Sequence, residues 1–294
     1  MITVMGATGQ VGRQITQRLL EAGEQVRAIG RNPRALAALA AAGAETWAGD
    51  AADAEFLARA FRGADAVHTL LPYDPTSADF RAEQQRLGEA IVAAVQGAGV
   101  RRVVALSSIG ADVPTGTGFI ASLHDQEQRL RRLTGVDLLF LRPGVFFESI
   151  TAAADTARTL GVNADAVAPE VPVPMIATQD VGAAAAAALV ARDWRGVQVR
   201  ELHGPCDLTY TEATSILGAA IDLPGLQYVR LPDAEMADAL VQAGFSRDCA
   251  ELHVEMGRAL SDGTITPLAA RTPETISPTR FEAIVGDLVQ DRAA

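Results

Sequence analysis

The sequence predicts an α/β fold: a doubly wound parallel sheet followed by a smaller, mainly helical C-terminal lobe. Three observations predict it. A glycine-rich turn, Gly6-Ala7-Thr8-Gly9-Gln10-Val11-Gly12, lies between a short apolar run and a helical pattern. Apolar runs of strand length then alternate with segments of helical period as far as Pro143. Beyond Pro143 that regularity fades. Alternation of this kind builds a parallel sheet with helices on both faces, through right-handed crossovers.

The elements follow in order. Residues 2–5 are a short strand ending at glycine, and 10–20 a helix with Val11, Ile15, Leu19 and Leu20 on one face. Residues 25–29 read as a strand and 33–42 as a helix with Pro33 in its first turn. A brief strand at 45–48, a short helix at 54–61, a buried strand at 66–71 and a long helix at 78–98 come next. Residues 102–106 are strand-like and run into Ser107-Ser108, 124–133 form a helix closed by Thr134-Gly135, and 136–141 are the sixth strand. After Pro143, 146–160 look helical, 171–176 with two prolines form an edge or irregular strand, 180–190 an alanine-rich helix, and 197–202 another strand. Thr209 and Glu212 have the spacing of a capping box opening a helix over 209–221, and further helices are expected at 233–243, 246–259 and 279–290. The domain reading is 1–147 for the sheet domain, with 171–203 returning to it, and 148–170 plus 204–294 for a lobe on the substrate side.

Composition narrows the function classes. A chain of 294 residues is long for one compact domain, and 49% hydrophobic residues suffice for a large core. With only 5% aromatics, alanine, leucine and valine must fill it. A net charge of −11 argues against nucleic acid and against anionic lipid as partners. The chain has no lysine, so all 25 basic side chains are arginine, and Schiff-base or lysine acid–base chemistry is excluded. Cys206 and Cys249 lack C-x-x-C spacing, and the histidines lack ligand spacing, so no metal site is expected. No signal peptide is expected, and the longest apolar run, 181–191, is too short to span a bilayer. These readings point to a cytoplasmic protein, a monomer or small homo-oligomer, with a small-molecule substrate.

The glycine turn has the spacing G-x-x-G-x-x-G, directly after a strand and opening a helix. One glycine suits a turn with unusual dihedrals, another lets backbone approach a pyrophosphate, and another lets helix and strand pack closely. The helix N-terminus then offers free N–H groups to the anion. Glycines also close ordinary turns, but this position is the one a dinucleotide site requires. At the end of the second strand, where an acidic residue would hold the ribose 2′-hydroxyl of NAD, stands Arg31, with Arg34 one turn on. Guanidinium groups there suit a 2′-phosphate; the plain alternative is two solvated surface arginines. Asp50 either accepts from the adenine amino group or caps the next helix.

These residues, with Arg31-Asn32-Pro33, Gly49-Asp50, Ser107-Ser108, Leu141-Arg142-Pro143-Gly144, Ile176-Ala177-Thr178-Gln179-Asp180-Val181, Gly204-Pro205 and Leu208-Thr209-Tyr210, resemble the NmrA-like branch of the atypical short-chain dehydrogenase/reductases. The resemblance touches nearly the whole chain. It implies a Rossmann domain with a small C-terminal lobe and NADP(H) in the cleft. It also implies one of two functions: an NADPH-dependent reductase of a quinone or similar conjugated carbonyl, or a non-catalytic NADP(H)-binding redox sensor. On this reading the cofactor contacts come from Gly6, Thr8, Gly9, Gln10, Val11, Gly12, Arg31, Asn32, Asp50, Leu71, Pro72, Ser107, Ser108, His124, Pro143 and Phe146.

The wider superfamily's Tyr-x-x-x-Lys pair is missing. The register puts Ile120 at the tyrosine and His124 at the lysine, so ketone reduction by that route is doubtful. A quinone needs less help, since its reduction leaves a stabilised aromatic oxyanion. His124 is the leading polar candidate, as a bond to the nicotinamide ribose or as a proton donor; the alternative is a packing histidine at a helix start. Tyr73, just past Leu71-Pro72, either faces the substrate or is a surface loop aromatic. Ser107 and Ser108 either bond a ligand at the cleft rim or merely finish the strand, and Phe146 and Phe147 either wall the nicotinamide pocket or belong to the core.

Overall fold

The structure is a computed structural model that describes residues 1–273 and 275–286. The first half runs β1 (Ile2–Val4), α1 (Gln10–Glu21), β2 (Val26–Gly30), α2 (Pro33–Ala41), β3 (Glu45–Ala48), α3 (Ala54–Phe61), β4 (Ala66–Thr69), α4 (Phe80–Gly97), β5 (Arg102–Leu106), α5 (Ile120–Arg131) and β6 (Asp137–Pro143). The second half runs β7 (Val145–Phe146), α6 (Phe147–Thr151), α7 (Ala154–Leu160), β8 (Val162–Asp165), β9 (Val173–Ile176), α8 (Thr178–Ala191), β10 (Val197–Leu202), β11 (Asp207–Leu208), α9 (Tyr210–Ala220), β12 (Gln227–Arg230), α10 (Asp233–Gln242) and α11 (Arg247–Ser261).

Seven strands form one parallel sheet in the order β10-β6-β5-β4-β1-β2-β3. Strand order reverses between β4 and β1, which opens a crevice at their carboxyl ends, the usual place for a ligand in such sheets. The sheet's central strands β1, β4, β5 and β6 are buried on both faces. One face packs Val11, Ile15 and Leu19 of α1, Leu36 of α2 and Leu189 of α8. The other packs Phe56 and Phe61 of α3, Ile91 and Val95 of α4 and Leu130 of α5. Full burial of each such side chain contributes about 1.5–3 kcal/mol. The alanine run of α8 has a packing purpose: α8 lies so close to α1 that a Cβ at Gly182 would come within 2.4 Å of the Gln14 Cβ.

The structure departs from the sequence reading in four places. The single helix expected over 146–160 is instead β7, α6 and α7. Its first residue, Phe146, pairs with Ile176 of β9, as Val145 just before it pairs with Met175, because Gly144 lets the backbone pass where a Cβ would meet the Pro174 oxygen at 2.3 Å. Pairing with a distant strand outweighs local helical period. Helix α5 starts at Ile120, not His124, directly after Gly116 and Gly118, both at positive φ. The expected edge strand, β9, is the middle strand of the sheet β11-β9-β7. Even so, β7 bridges only Met175 and Ile176 and β11 only Val173 and Pro174, so proline is tolerated there. Finally the lobe contains the strand pair β8 and β12, absent from the sequence reading, whose four-residue segments VNAD and QYVR carry no apolar run.

Beyond the sheet, α8 covers α1, and β10 joins the sheet edge beside β6. Of the last expected helix, residues 281–286 are helical, and 287–290 lie outside the described residues. Among the described residues, no helix is long and apolar enough to cross a membrane.

Candidate active site

The glycine turn is fixed from both sides. Ala7 N–H donates to Ile29 O of β2 and Met5 N–H to His68 O of β4, each at 3.0 Å. Gly6 sits at φ 63°, where an added Cβ would also strike the Leu70 side chain at 2.5 Å. A Cβ at Gly12 would come within 2.2 Å of the Gly6 oxygen, so the third glycine lets α1 begin inside the turn. Helix α1 has Gly9 as its N-cap and no side-chain cap. Its first backbone N–H groups therefore have no protein side chain to satisfy them, as an anion site requires.

From this turn a groove of 210 Å³ runs between β1, β2 and β4, lined by Gly6, Thr8, Gly9, Gly30, Arg31, Gly49, Leu70, Pro72 and Tyr73. Arg31 is exposed at its edge. Asn32 caps α2 through its side-chain oxygen, which accepts from Arg34 N at 2.9 Å. The helix cap weighed for Asp50 belongs to Asp53, which accepts from Phe56 N at 2.9 Å. Asp50 instead closes a two-residue turn, accepting from Ala52 N at 2.9 Å. Gln10 is exposed, and the Val11 side chain is buried in the core, so either would meet a ligand only through its backbone or from the rim.

Leu70 also borders a second space, a cavity of 270 Å³ at the carboxyl ends of β4, β5 and β6. Leu71, Leu106, Ser107, Ser108, Ile109, Pro143 and Phe146 line it from the sheet side, Ile120 and Leu123 from α5, and Met256, Leu260 and Ile265 from the lobe. Among the described residues, no charged side chain contributes to this lining. The lobe is anchored over it: Ser246 N donates to Pro75 O at 2.9 Å, and Asp248 accepts from Phe80 N at 2.8 Å. The start of α11 thus holds the segment that carries Pro72 and Tyr73.

Beneath the cavity lies a buried ion pair. Arg142 binds Glu127 at two points, Nε to Oε1 and Nη2 to Oε2, both 2.8 Å. Ser107 donates its hydroxyl to Glu127 Oε1 at 2.7 Å, and Asp112 stands 3.5 Å from Arg142 Nη1. Burial disfavours the Arg142 charge, but its bonds to Glu127 outweigh that and hold its pKa raised. His124 is half-buried, with Nδ1 2.9 Å from the Ala111 carbonyl oxygen, and lies outside the cavity lining. Tyr73 packs edge-on against Phe119 and Phe80, at 5.2 and 5.8 Å, and lines the groove, not the cavity. Burial raises its phenol pKa. Phe147 belongs to the lobe core, stacked on Phe281, while Phe146 lines the cavity.

A profile of the NAD(P)H-binding family matches residues 6–192, the span from the glycine turn through α8. The chain belongs to the NAD(P)H-binding family. The match agrees with the NmrA-like resemblance of its motifs. The (4-alkanoyl-5-oxo-2,5-dihydrofuran-3-yl)methyl phosphate reductase of Streptomyces griseus is 35% identical over 224 residues, covering 76% of this chain and 75% of that one. Quinone oxidoreductase 2 of Escherichia coli is 29% identical over 266 residues, 90% of this chain and 89% of that one. The crystal structure of an NADPH-dependent quinone oxidoreductase from Escherichia coli, complexed with NADPH, has a TM-score of 0.82 at 25% identity, covering 98% of this chain and 99% of that one.

As a site for NADP(H), the groove fits: an uncapped helix N-terminus, glycines where side chains would block approach, and Arg31 at the edge. In this NAD(P)H-binding chain, sequence reasoning missed Glu127, Ile120 as a lining residue, and the lobe residues Met256, Leu260 and Ile265. Only Glu127 left a signal. Arg142 ends the apolar run Leu138-Leu139-Phe140-Leu141, and a charge in a central strand needs a buried partner.

Proposed function

We propose that this chain, an NADPH-dependent oxidoreductase, reduces an uncharged conjugated acceptor, a quinone foremost, in the 270 Å³ cavity. The observation that carries the reading is the lining itself. Its side-chain polar groups are serine hydroxyls, Ile120 occupies the position assigned to the tyrosine, and the chain has no lysine. A simple ketone needs a proton donor as its alkoxide forms; a quinone leaves an oxyanion stabilised by its own ring, and water protonates it afterwards. NADPH, when bound, supplies the hydride.

The chain's own residues bind and orient. The N–H groups opening α1 hold the diphosphate, and Arg31 takes the 2′-phosphate. Leu71, Pro143 and Phe146 hold the nicotinamide end, while Ile120, Leu123 and Met256 exclude water from the acceptor. Tyr73 closes the groove from above. His124 acts on this site through Ala111, by holding the loop that leads into α5. The relatives' names support a conjugated acceptor: one is a quinone oxidoreductase, and the other's substrate name places a ring double bond beside two carbonyls. That substrate also carries a phosphate, so the absence of charge rests on the cavity lining alone.

NADPH consumption with benzoquinones, naphthoquinones and simple ketones tests the proposal. Turnover with quinones and none with ketones is expected. Turnover with ketones alone would refute it, and NADPH binding without turnover of any acceptor would turn the reading to a redox sensor.

A further inference from the structure

Ser107 stands where β5 meets the cavity, and its hydroxyl donates to Glu127 Oε1 at 2.7 Å. Glu127 has no proton to return. Arg142 holds both its oxygens at 2.8 Å, and a carboxylate in a two-point pair with guanidinium only accepts. A serine hydroxyl has one proton and two lone pairs. The Ser107 proton is thus committed inside the protein, and the hydroxyl shows the cavity only lone pairs. Ser108 does not supply the missing donor, because its hydroxyl donates to the Ile109 carbonyl at 2.9 Å.

This polarity selects the ligand group that Ser107 meets. A quinone presents only acceptors and gains nothing from a lone pair. The carboxamide of a nicotinamide ring presents an N–H2. Ser107 lies on the strand next to β4, whose end carries Leu70, the residue shared by the dinucleotide groove and the cavity. The nicotinamide end of the cofactor belongs at that border.

We infer that Ser107 accepts a hydrogen bond from the nicotinamide carboxamide, and that Glu127 and Arg142 are positioning residues that fix the direction of that bond. The bond orients the carboxamide and so sets which face of the ring looks toward Ile120 and Met256. A serine that donated outward would orient it the other way, with the carboxamide oxygen toward Ser107. The inference rests on NADP(H) binding, and the quinone reading does not bear on it.

The test compares NADPH with its 3-acetylpyridine analogue, in which a methyl replaces the amide N–H2. Binding is followed by the fluorescence of Trp47 and Trp194, so no acceptor is needed and the acceptor assignment is tested separately. The parent is expected to bind the analogue about five- to tenfold more weakly, the weight of one hydrogen bond. Ser107→Ala should weaken NADPH by a similar factor, leave the analogue unchanged and bring the ratio near one; Ser107→Thr should restore it. A general loss of packing would weaken both ligands and keep the ratio. Equal binding of both ligands by the parent, or a ratio unchanged in Ser107→Ala, overturns the inference. If Ser107→Ala fails to fold, equal binding by the parent still overturns the inference, and Ser107→Val, close in shape to Ser107→Thr but without a lone pair, carries the comparison of ratios in its place.

Discussion

Arg142 on β6 and Glu127 on α5 meet through two parallel hydrogen bonds of 2.8 Å, with 7% and 2% of their side chains exposed. A buried pair of this kind adds little over a well-packed apolar pair, but removal of Arg142 leaves the buried Glu127 charge with only the part-exposed Arg131, 3.2 Å away, to offset it. Arg142→Met is therefore expected to destabilise the fold by about 3–5 kcal/mol. Urea denaturation of the parent, Arg142→Met and the double variant Arg142→Met/Glu127→Leu checks this. The double variant should recover much of the loss.

Gly12→Ala should abolish NADPH binding. The added Cβ would lie 2.2 Å from the Gly6 oxygen, a backbone atom that cannot rotate away. The turn must shift, and the N–H groups that open α1 shift with it. Calorimetric titration with NADPH measures the effect, and Gly23→Ala is the comparison: Gly23 has φ 77° but nothing within 4 Å of its Cβ, so its variant should lose stability and keep binding.

Arg31 should set the choice between cofactors. It lies at the groove edge where the ribose 2′-phosphate of NADPH would come, and NADH has no such group. Arg31→Ala is expected to weaken NADPH at least about tenfold, since a hydrogen bond to a charged group contributes about 1.5–3 kcal/mol, and to leave NADH unchanged. Fluorescence titration of both cofactors gives the ratio. Equal affinity of the parent for the two would remove Arg31 from the site.

Burial pulls the imidazole of His68 down to about 4 from 6.5, the Met5 backbone offsetting only part. The unfolded chain takes up this proton near pH 6.5, and the folded one only near pH 4. In that window the unfolded state binds more protons, so stability falls as pH drops, by at most about 3 kcal/mol from this residue. His253 works in the opposite direction. Burial disfavours its charge, but Asp165 outweighs that and raises its pKa. Its share cancels when the parent is compared with His68→Leu. The variant should show the smaller loss of melting temperature between pH 7 and pH 5, an outcome that thermal melts read directly.

The legible parts of the fold are those whose cause is local. Gly9 and Gly12 announce the dinucleotide turn because a Cβ on either would crowd the Gly6 oxygen, and Gly6 because the chain turns there at φ 63°. Strands β5 and β6 announce themselves through the apolar runs 103–106 and 138–141, since a strand buried on both faces is a continuous apolar run, whereas the edge strand β3, ETWA, is legible only from its place between two helical segments. Thr209 and Glu212 form the capping box that their spacing predicts. What stayed illegible depends on distant partners. Phe146 leaves the helical reading because Ile176 lies beside it. Leu260 borders the cavity through packing with residues as distant as Ile109, Ile120 and Phe147. No period within either segment records those pairings.

His124 separates two roles that its place on α5 suggests. Its Nδ1 lies 2.9 Å from the Ala111 oxygen, and Ile120 and Leu123 are the α5 residues that line the cavity. If the ring only holds the loop that carries Ala111, His124→Ala should lower stability by about 1 kcal/mol, the net weight of a hydrogen bond, with turnover nearly unchanged. If it also bonds the nicotinamide ribose, NADPH affinity should fall by a similar free energy at every pH, because one ring nitrogen or the other serves in either protonation state. If it donates a proton, affinity should survive, turnover should fall roughly 10²-fold or more, and the parent's rate should drop as the imidazolium loses its proton. The loop-holding role is expected, since a proton donor must reach the acceptor, and among the described residues of α5 it is Ile120 and Leu123, not His124, that line the cavity. His124→Asn refines the result: its amide can still donate to Ala111, so it should restore stability if that bond is the whole role, and it cannot restore turnover if a titrating proton is needed.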